Sequence, residues 1–183
     1  MKRNKVNGPT CFTIARIIMS VIFMVFVLIP ETWSRVVAFI LFILTAITDT
    51  IDGAWARKKN IVTDFGKFLD PLADKVLVDL TFLALVYLNV VPIWVFAIII
   101  IRDLIVDGVR MAAAKENITI AASFYGKLKT IIQMTALGIL LFNQIVNIDF
   151  FSVLGNIMLY ISLALAVLSC LDYIVKNWKK IIK

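Results

Sequence analysis

Four aspartates lie close together in a chain that is otherwise mostly apolar: Asp49, Asp52, Asp70 and Asp74. The first two are three residues apart and the last two are four apart, so within helices each pair occupies one face. Carboxylates gathered in an apolar protein repel one another unless protons or a cation neutralise them. Hard divalent cations such as Mg²⁺ and Mn²⁺ take oxygen ligands and commonly bind substrate phosphates as well. The aspartates therefore predict a divalent-cation site that handles a phosphorylated substrate.

Residues with little or no side chain accompany both pairs. They share, or lie near, the helical faces of the aspartates, and they are Gly53, Ala56, Gly66 and Ala73. Such a surface predicts a crevice in which a large ligand approaches the helix backbone. Arg57 adds a planar group of donors that suits phosphate. In the alternative interpretation these are solvated helix ends whose acids balance nearby lysines, but the complete set favours a ligand site.

The spacing of these residues resembles a family signature. The pattern D-x-x-D-G-x-x-A-R, eight residues, then G-x-x-x-D-x-x-x-D is similar to that of the CDP-alcohol phosphatidyltransferases, and the chain meets every fixed position of it. Residues 64–75 and the run Gly-Lys-Leu-Lys-Thr at 126–130 are most similar to the phosphatidylglycerophosphate synthase branch of that family. The resemblance covers nearly the whole chain, and the aspartate motif is its specific part.

The resemblance implies a reaction and a cofactor. The phosphatidyl group of CDP-diacylglycerol would pass directly to an alcohol, which is glycerol 3-phosphate in this branch, with release of CMP. It implies Mg²⁺ or Mn²⁺, with two cations expected, held by Asp49, Asp52, Asp70 and Asp74. Asp74, the last of the array, is also the expected catalytic base for the attacking hydroxyl. A homodimer is the expected assembly.

The resemblance also implies contacts with the cytidine nucleotide. The family segment N-x-P-N-x-L-T-x-x-R is similar to residues 7–16, where Thr10 replaces the second Asn and Phe12 the Leu. Together with the motif, it gives eight expected contacts with CDP-diacylglycerol: Asn7, Pro9, Thr10, Asp52, Gly53, Ala56, Arg57 and Gly66.

Three basic residues form a candidate site for the acceptor's phosphate: Arg110, Lys127 and Lys129. A phosphorylated acceptor suits this cationic cluster better than serine does. In the alternative interpretation the cluster reflects membrane topology alone. Asp103 and Asp107 share a helical face with Arg110, so an ion pair is a further explanation for part of the charge.

The composition predicts an integral membrane protein. The chain has 183 residues, is 62% hydrophobic and carries a formal charge of +7, with a mean hydropathy of +0.98. A spanning helix needs about 20 residues, most of them apolar. We predict an all-α bundle of six transmembrane helices forming one domain, residues 1–183, with spans at 12–29, 34–56, 67–88, 92–114, 127–146 and 151–174.

Basic residues predict the orientation. On one side of the six spans the flanks carry most of the lysines and arginines, whereas the other side carries only Arg35, with Glu31 and Asp149. The positive-inside rule then places both termini and the aspartate motif on the cytoplasmic side of the cell membrane.

The chain contains no histidine, which excludes imidazole bases and Ser-His-Asp arrangements. Three alternatives to the predicted transferase remain. One is a relative with another acceptor, such as inositol phosphate, serine or a lipid. Another is a small cation channel or transporter with intramembrane aspartates. The third is an assembly subunit without chemistry, against which the complete motif argues. No feature indicates nucleic-acid binding.

Overall fold

The computed structural model describes the backbone of residues 8–59, 64–115 and 124–181 and the side chains of residues 13–48, 75–111, 113, 124–172 and 175. Within these ranges all regular structure is α-helical. The helices are α1 (Gly8–Leu28), α2 (Thr32–Lys59), α3 (Asp64–Tyr87), α4 (Ile93–Lys115), α5 (Phe124–Val146) and α6 (Asp149–Ile181). The prediction of six helices is confirmed.

Five of the six helices are longer than the predicted spans, and α6 is extended the most. α1 begins at Gly8, and Pro9 lies in its first turn, where a proline is tolerated because its missing N–H has no helical partner. α6 continues to Ile181, since no glycine or proline interrupts the chain after residue 155. The basic segment near residue 178, expected to follow the last span, therefore continues its helix.

Prolines and asparagines set the turns between helices. α1 ends two residues before Pro30, and α4 begins directly after Pro92. Asn89 and Asn147 follow α3 and α5 with positive φ angles of 58° and 51°, a conformation that asparagine tolerates better than most residues. The Asn143 side chain accepts a hydrogen bond from the Ile148 amide at 2.9 Å, which ties the turn to α5.

The chain divides into two compact units, Met1–Ala84 and Leu85–Lys183. In the first unit α1 packs against α2, with Phe23 completely buried and its ring 6.4 Å from that of Phe42. At the turn between these helices the Ser34 hydroxyl donates to the Phe26 carbonyl oxygen. The packing of α1 against α2 therefore holds in place the first half of α2, which precedes the aspartate motif.

In the second unit α6 packs against both α4 and α5. Gly155 lies against Leu140 so closely that a Cβ added at residue 155 would be 2.7 Å from that side chain. On the side of α6 that contacts α4, the ring of Tyr160 stacks on that of Trp94 of α4, with centroids 6.1 Å apart. α6 thus positions α4 and α5 through two separate faces.

The described surface is unusually apolar, and several buried side chains are polar. Ile101, Leu104 and Ile131 are 56%, 67% and 65% exposed, whereas Ser162 and Ser169 are fully buried. α5 and the segment Asp149–Asp172 of α6 are long and apolar enough to cross a membrane, and the shorter apolar segments are Thr13–Leu28 and Thr32–Thr48. Charged residues such as Asp79 in α3 and Arg102 in α4 make those helices less apolar.

Candidate active site

The aspartate motif lies on two helical backbones. Asp49 and Asp52 belong to α2 and Asp70 and Asp74 to α3, so each pair has the helical spacing that the sequence predicted. Their side chains lie outside the described residues. In α3, Pro71 is the eighth residue, where it removes the helical hydrogen bond to the Lys67 carbonyl oxygen.

The residues expected to contact the nucleotide are distributed over α1, α2 and α3, apart from Asn7. Asn7 lies outside the described residues, Pro9 and Thr10 lie in the first turn of α1, and Gly53, Ala56, Arg57 and Gly66 lie on the helical backbones of α2 and α3. The side chains of all of them are outside the description, so their roles stay predictions. The adjoining residues of the family-like segment, Thr13 and Arg16, are 3% and 6% exposed and share one face of α1.

Two threonines, Thr45 and Thr48, precede the first motif aspartate in α2. Thr45 is fully buried, and its hydroxyl donates to the Leu41 carbonyl oxygen at 2.7 Å. Thr48 donates in the same way to Leu44, also at 2.7 Å. Both hydroxyls thus donate to the backbone of their own helix.

The basic residues expected to hold the acceptor's phosphate differ in exposure. Lys129 is 4% exposed, whereas Lys127 and Arg110 have exposed side chains. Lys127 and Lys129 are two residues apart on α5 and therefore project on nearly opposite faces. The Lys129 ammonium lies 3.0 and 3.1 Å from the two carboxylate oxygens of Asp103. The structure thus places Lys129 inside the second unit and Lys127 on its surface.

Asp103 belongs to a network that joins three helices. Arg102 Nη1 donates to Asp103 Oδ1 at 2.7 Å, Nε donates to the Ala166 carbonyl oxygen at 3.0 Å, and Nη2 donates to the Ser169 hydroxyl. The side chains of Arg102, Asp103 and Lys129 are only 13%, 19% and 5% exposed. We call these residues, with Ser169, the α4–α5–α6 network. Buried charges persist where they are paired and hydrogen-bonded, and this network meets both conditions.

The sequence did not reveal the partners of Asp103. Helical spacing suggested an ion pair somewhere among Asp103, Asp107 and Arg110, and the structure pairs Asp103 with its neighbour Arg102 and with Lys129 of α5. Residues one apart do not face each other on an ideal helix, so spacing gave no reason to pair Arg102 with Asp103. The available signal was the presence of two adjacent charges inside a long apolar run.

The sequence assigned no role to a second polar residue of α5. Gln133 follows Lys129 by four residues and shares its face. It is 2% exposed, and its carbonyl oxygen Oε1 has no hydrogen-bond partner among the described residues. The signal that would have found it is its position one turn after a basic residue, within an otherwise apolar helix.

Residues 6–168 match the family model for CDP-alcohol phosphatidyltransferase. The chain belongs to this family. It is 37% identical to a Bacillus subtilis (strain 168) protein over 94% of the chain and 96% of that relative. It is also 37% identical to a Wigglesworthia glossinidia brevipalpis protein, over 98% and 99%, and 35% identical to one from Rickettsia typhi, over 91% and 94%. Each relative is named CDP-diacylglycerol–glycerol-3-phosphate 3-phosphatidyltransferase.

The region matched by the CDP-alcohol phosphatidyltransferase family contains all four motif aspartates as well as the α4–α5–α6 network. The donor set of the motif consists of carboxylate oxygens, the ligands that Mg²⁺ and Mn²⁺ prefer. Among the described side chains, which exclude the motif, no three of Cys, Asp and Glu come together to form a metal site. The residue types and helical spacing of the motif therefore fit a hard divalent cation.

Proposed function

We propose that this chain transfers the phosphatidyl group of CDP-diacylglycerol to glycerol 3-phosphate, forming phosphatidylglycerophosphate and CMP in phospholipid biosynthesis. The observation that carries this proposal is the similarity to three enzymes of that name over more than nine tenths of each chain. The complete aspartate motif supports it, because a relative without chemistry would have no need of four carboxylates in an apolar setting.

The motif aspartates hold the cofactor in this proposal. Asp49, Asp52 and Asp70, with Asp74 beside or among them, bind Mg²⁺ or Mn²⁺, and two cations are expected. When bound, the cations neutralise the diphosphate and polarise the phosphorus under attack. The helical spacing of each aspartate pair supports this assignment, since it keeps both carboxylates of a pair on one face.

The nucleotide lies against helix surfaces that lack bulk. Gly53, Ala56 and Gly66 allow the cytidine diphosphate to approach the backbones of α2 and α3, and Arg57 donates to phosphate. Asn7, Pro9 and Thr10 contact the nucleotide from the start of the chain, and Asp52 contributes to the same site. Orientation of the diphosphate by fixed groups contributes to catalysis because it replaces the random encounter of reactants in solution.

Asp74 removes the proton in this mechanism. The hydroxyl oxygen of glycerol 3-phosphate attacks the phosphorus of the phosphatidyl group, the bond from that phosphorus to the CMP oxygen breaks, and CMP leaves. Asp74 accepts the proton of the attacking hydroxyl. Transfer is direct, which agrees with a chain that has no histidine to serve as a nucleophile.

The acceptor's phosphate is held by Lys129 and Arg110, and Lys127, which projects on nearly the opposite face of α5 from Lys129, attracts it from the surface. Asp103 fixes the Lys129 ammonium from α4, inside the second unit. Arg110 and Lys127, with exposed side chains, supply charge where an ion arriving from water first meets the protein.

The chain acts as a membrane protein in this proposal. Six helices span the cytoplasmic membrane, both termini and the active site face the cytoplasm, and the protein is a homodimer formed by one-domain subunits. The exposed apolar side chains of α4 and α5 support membrane insertion, and the distribution of lysine and arginine supports the orientation.

An assay of the purified protein tests the proposal. The protein in detergent micelles receives CDP-diacylglycerol and Mg²⁺ or Mn²⁺, and candidate acceptors are added one at a time: glycerol 3-phosphate, inositol phosphate, serine and a phospholipid. We expect CMP release and a new phospholipid only with glycerol 3-phosphate. Product with a different acceptor alone would overturn the substrate assignment and leave the family unchanged. Ion flux through liposomes without any product would favour the channel alternative.

A further inference from the structure

The side-chain amide of Gln133 is buried in a position that the described residues do not explain. The residue is 2% exposed, and the described part of the chain provides no donor for Oε1. A buried carbonyl oxygen without a donor is unfavourable because it has lost its water and gained nothing in exchange. An apolar residue of the same size, such as methionine, would fill the same space without that cost.

Gln133 lies next to a residue that is proposed to bind the acceptor's phosphate. Lys129 lies one turn earlier on the same face of α5 and is 4% exposed, which brings the two side chains side by side. Asp103 fixes the Lys129 ammonium from α4. A ligand whose phosphate meets Lys129 therefore has its next polar group within reach of Gln133.

We propose that Gln133 is a specificity-determining residue whose Oε1 accepts a hydrogen bond from the hydroxyl of the acceptor that does not react. The inference rests on the proposed function, since it requires an acceptor that carries both a phosphate and hydroxyl groups. The ligand class is a short polyol monophosphate. The unpartnered oxygen and the cation one turn away match the hydroxyl and the phosphate of such a molecule.

The hydroxyl bound by Gln133 differs from the one that attacks. An amide oxygen accepts a hydrogen bond but is too weak a base to take the proton of an alcohol. The attacking hydroxyl needs a carboxylate base, so the amide is left to orient the hydroxyl that remains in the product. A site built to bond a hydroxyl also rejects an analogue without it, because the protein group is then left buried and unpaired.

The test compares two acceptors in two proteins. Glycerol 3-phosphate carries the middle hydroxyl, and 3-hydroxypropyl phosphate has the same phosphate and a terminal hydroxyl without the middle one. In the unaltered protein we expect kcat/KM to be about three- to tenfold higher for glycerol 3-phosphate, the effect of one hydrogen bond. In Gln133→Met that preference disappears, because activity with glycerol 3-phosphate falls and activity with the analogue does not. KM for CDP-diacylglycerol stays the same.

Two controls separate recognition from folding. Leu137→Met changes a fully buried residue one turn further along α5, and we expect the acceptor preference to be unchanged in it. Thermal unfolding of Gln133→Met occurs at the same or a higher temperature than that of the unaltered protein, since the variant removes an unpaired buried carbonyl. If Gln133→Met does not fold, Gln133→Leu tests the same loss.

The outcomes distinguish this inference from the function on which it rests. If the unaltered protein makes no phospholipid from glycerol 3-phosphate, the proposed function fails. If it does, but Gln133→Met loses activity equally with both acceptors or loses none, then Gln133 does not recognise the hydroxyl. If Gln133→Met is less stable and keeps its acceptor preference, the amide has a structural role instead.

Discussion

Two regions of the molecule carry carboxylates for different purposes. In the α4–α5–α6 network, the Asp103 carboxylate meets the cations of Arg102 and Lys129 at 2.7 and 3.0 Å, so the protein itself supplies the opposing charge. In the aspartate motif, four carboxylates share two helical faces with glycine and alanine, and Arg57, the base at a fixed position of the pattern, is assigned to phosphate. The comparison teaches that a site for an exchangeable cation is marked by acids grouped with small residues, and a structural pair by acids grouped with bases.

The largest effect is expected from a substitution within the aspartate motif. Asp52→Asn removes a proposed metal ligand and replaces it with a neutral amide, so we expect turnover to fall below detection and excess Mg²⁺ or Mn²⁺ to restore little of it. CMP release from CDP-diacylglycerol measures the effect. Asp149→Asn, which changes an exposed acid at the first residue of α6, is the control and should retain full activity. Normal turnover in Asp52→Asn would exclude the proposed cation site.

The next effect distinguishes the base from the metal ligands. Asp74→Asn should lower the single-turnover rate by about 10²–10⁴-fold while CDP-diacylglycerol still binds with nearly normal affinity. Equilibrium lipid binding and single-turnover rates measure the two quantities separately. Asp79→Asn, five residues further along α3 and off that face, should keep measurable activity when folded. Normal turnover in Asp74→Asn with a dead but folded Asp79→Asn would mean that the wrong aspartate has been assigned.

The third prediction concerns stability. A substitution in the α4–α5–α6 network should lower the free energy of unfolding, whereas a substitution in the motif should lower turnover. Asp103→Ala leaves two cations without their shared carboxylate, and breaking a buried pair typically costs about 3–5 kcal/mol. The double variant Asp103→Leu with Lys129→Met removes a charge of each sign and should unfold at a higher temperature than Asp103→Ala. Glu31→Ala, at an exposed position, should change stability by only about 0.5 kcal/mol. An Asp103→Ala protein as stable as the unaltered one would show that the network is not structural.

The fourth prediction addresses the acceptor's phosphate. Arg110→Ala should raise KM for glycerol 3-phosphate far more than KM for CDP-diacylglycerol, by about ten- to a hundredfold for one charge-assisted hydrogen bond. Arg35→Ala, a basic residue of α2 on the other predicted side of the membrane, is the matched control. Equal effects of Arg110→Ala on both substrates would assign this arginine a structural role.

The two regions also differ in how far the sequence predicted them. Six helices followed from apolar runs and prolines, and the positions of the motif aspartates on α2 and α3 followed from spacing within one helix. The partners of Asp103 could not be predicted in this way, because Lys129 lies 26 residues away on another helix. Spacing along the sequence does not reveal which residues of two different helices come into contact. Gln133 received no role for a related reason: its lack of a donor among the described residues is visible only when its surroundings are known.

The smallest effect tests whether helix packing can be altered without disturbing the network. Gly155→Ala places a Cβ 2.7 Å from Leu140 Cγ and 3.3 Å from Ile139 Cγ2, and such overpacking costs about 1–3 kcal/mol. The gain in helix propensity from glycine to alanine, about 1 kcal/mol, offsets part of that cost. We therefore expect a modest net loss of stability, measured by thermal unfolding in detergent.

Gly108→Ala is the matched control, because no atom of the described residues lies within 4 Å of the added Cβ and only the propensity gain remains. It should raise stability by about 0.5–1 kcal/mol. Gly155 precedes Ser169 by fourteen residues of α6, or about 21 Å at the helical rise per residue, so neither variant should change KM for glycerol 3-phosphate. A raised KM in Gly155→Ala would show that the α5–α6 contact positions Lys129, and that the network depends on packing four turns away as well as on its own charges.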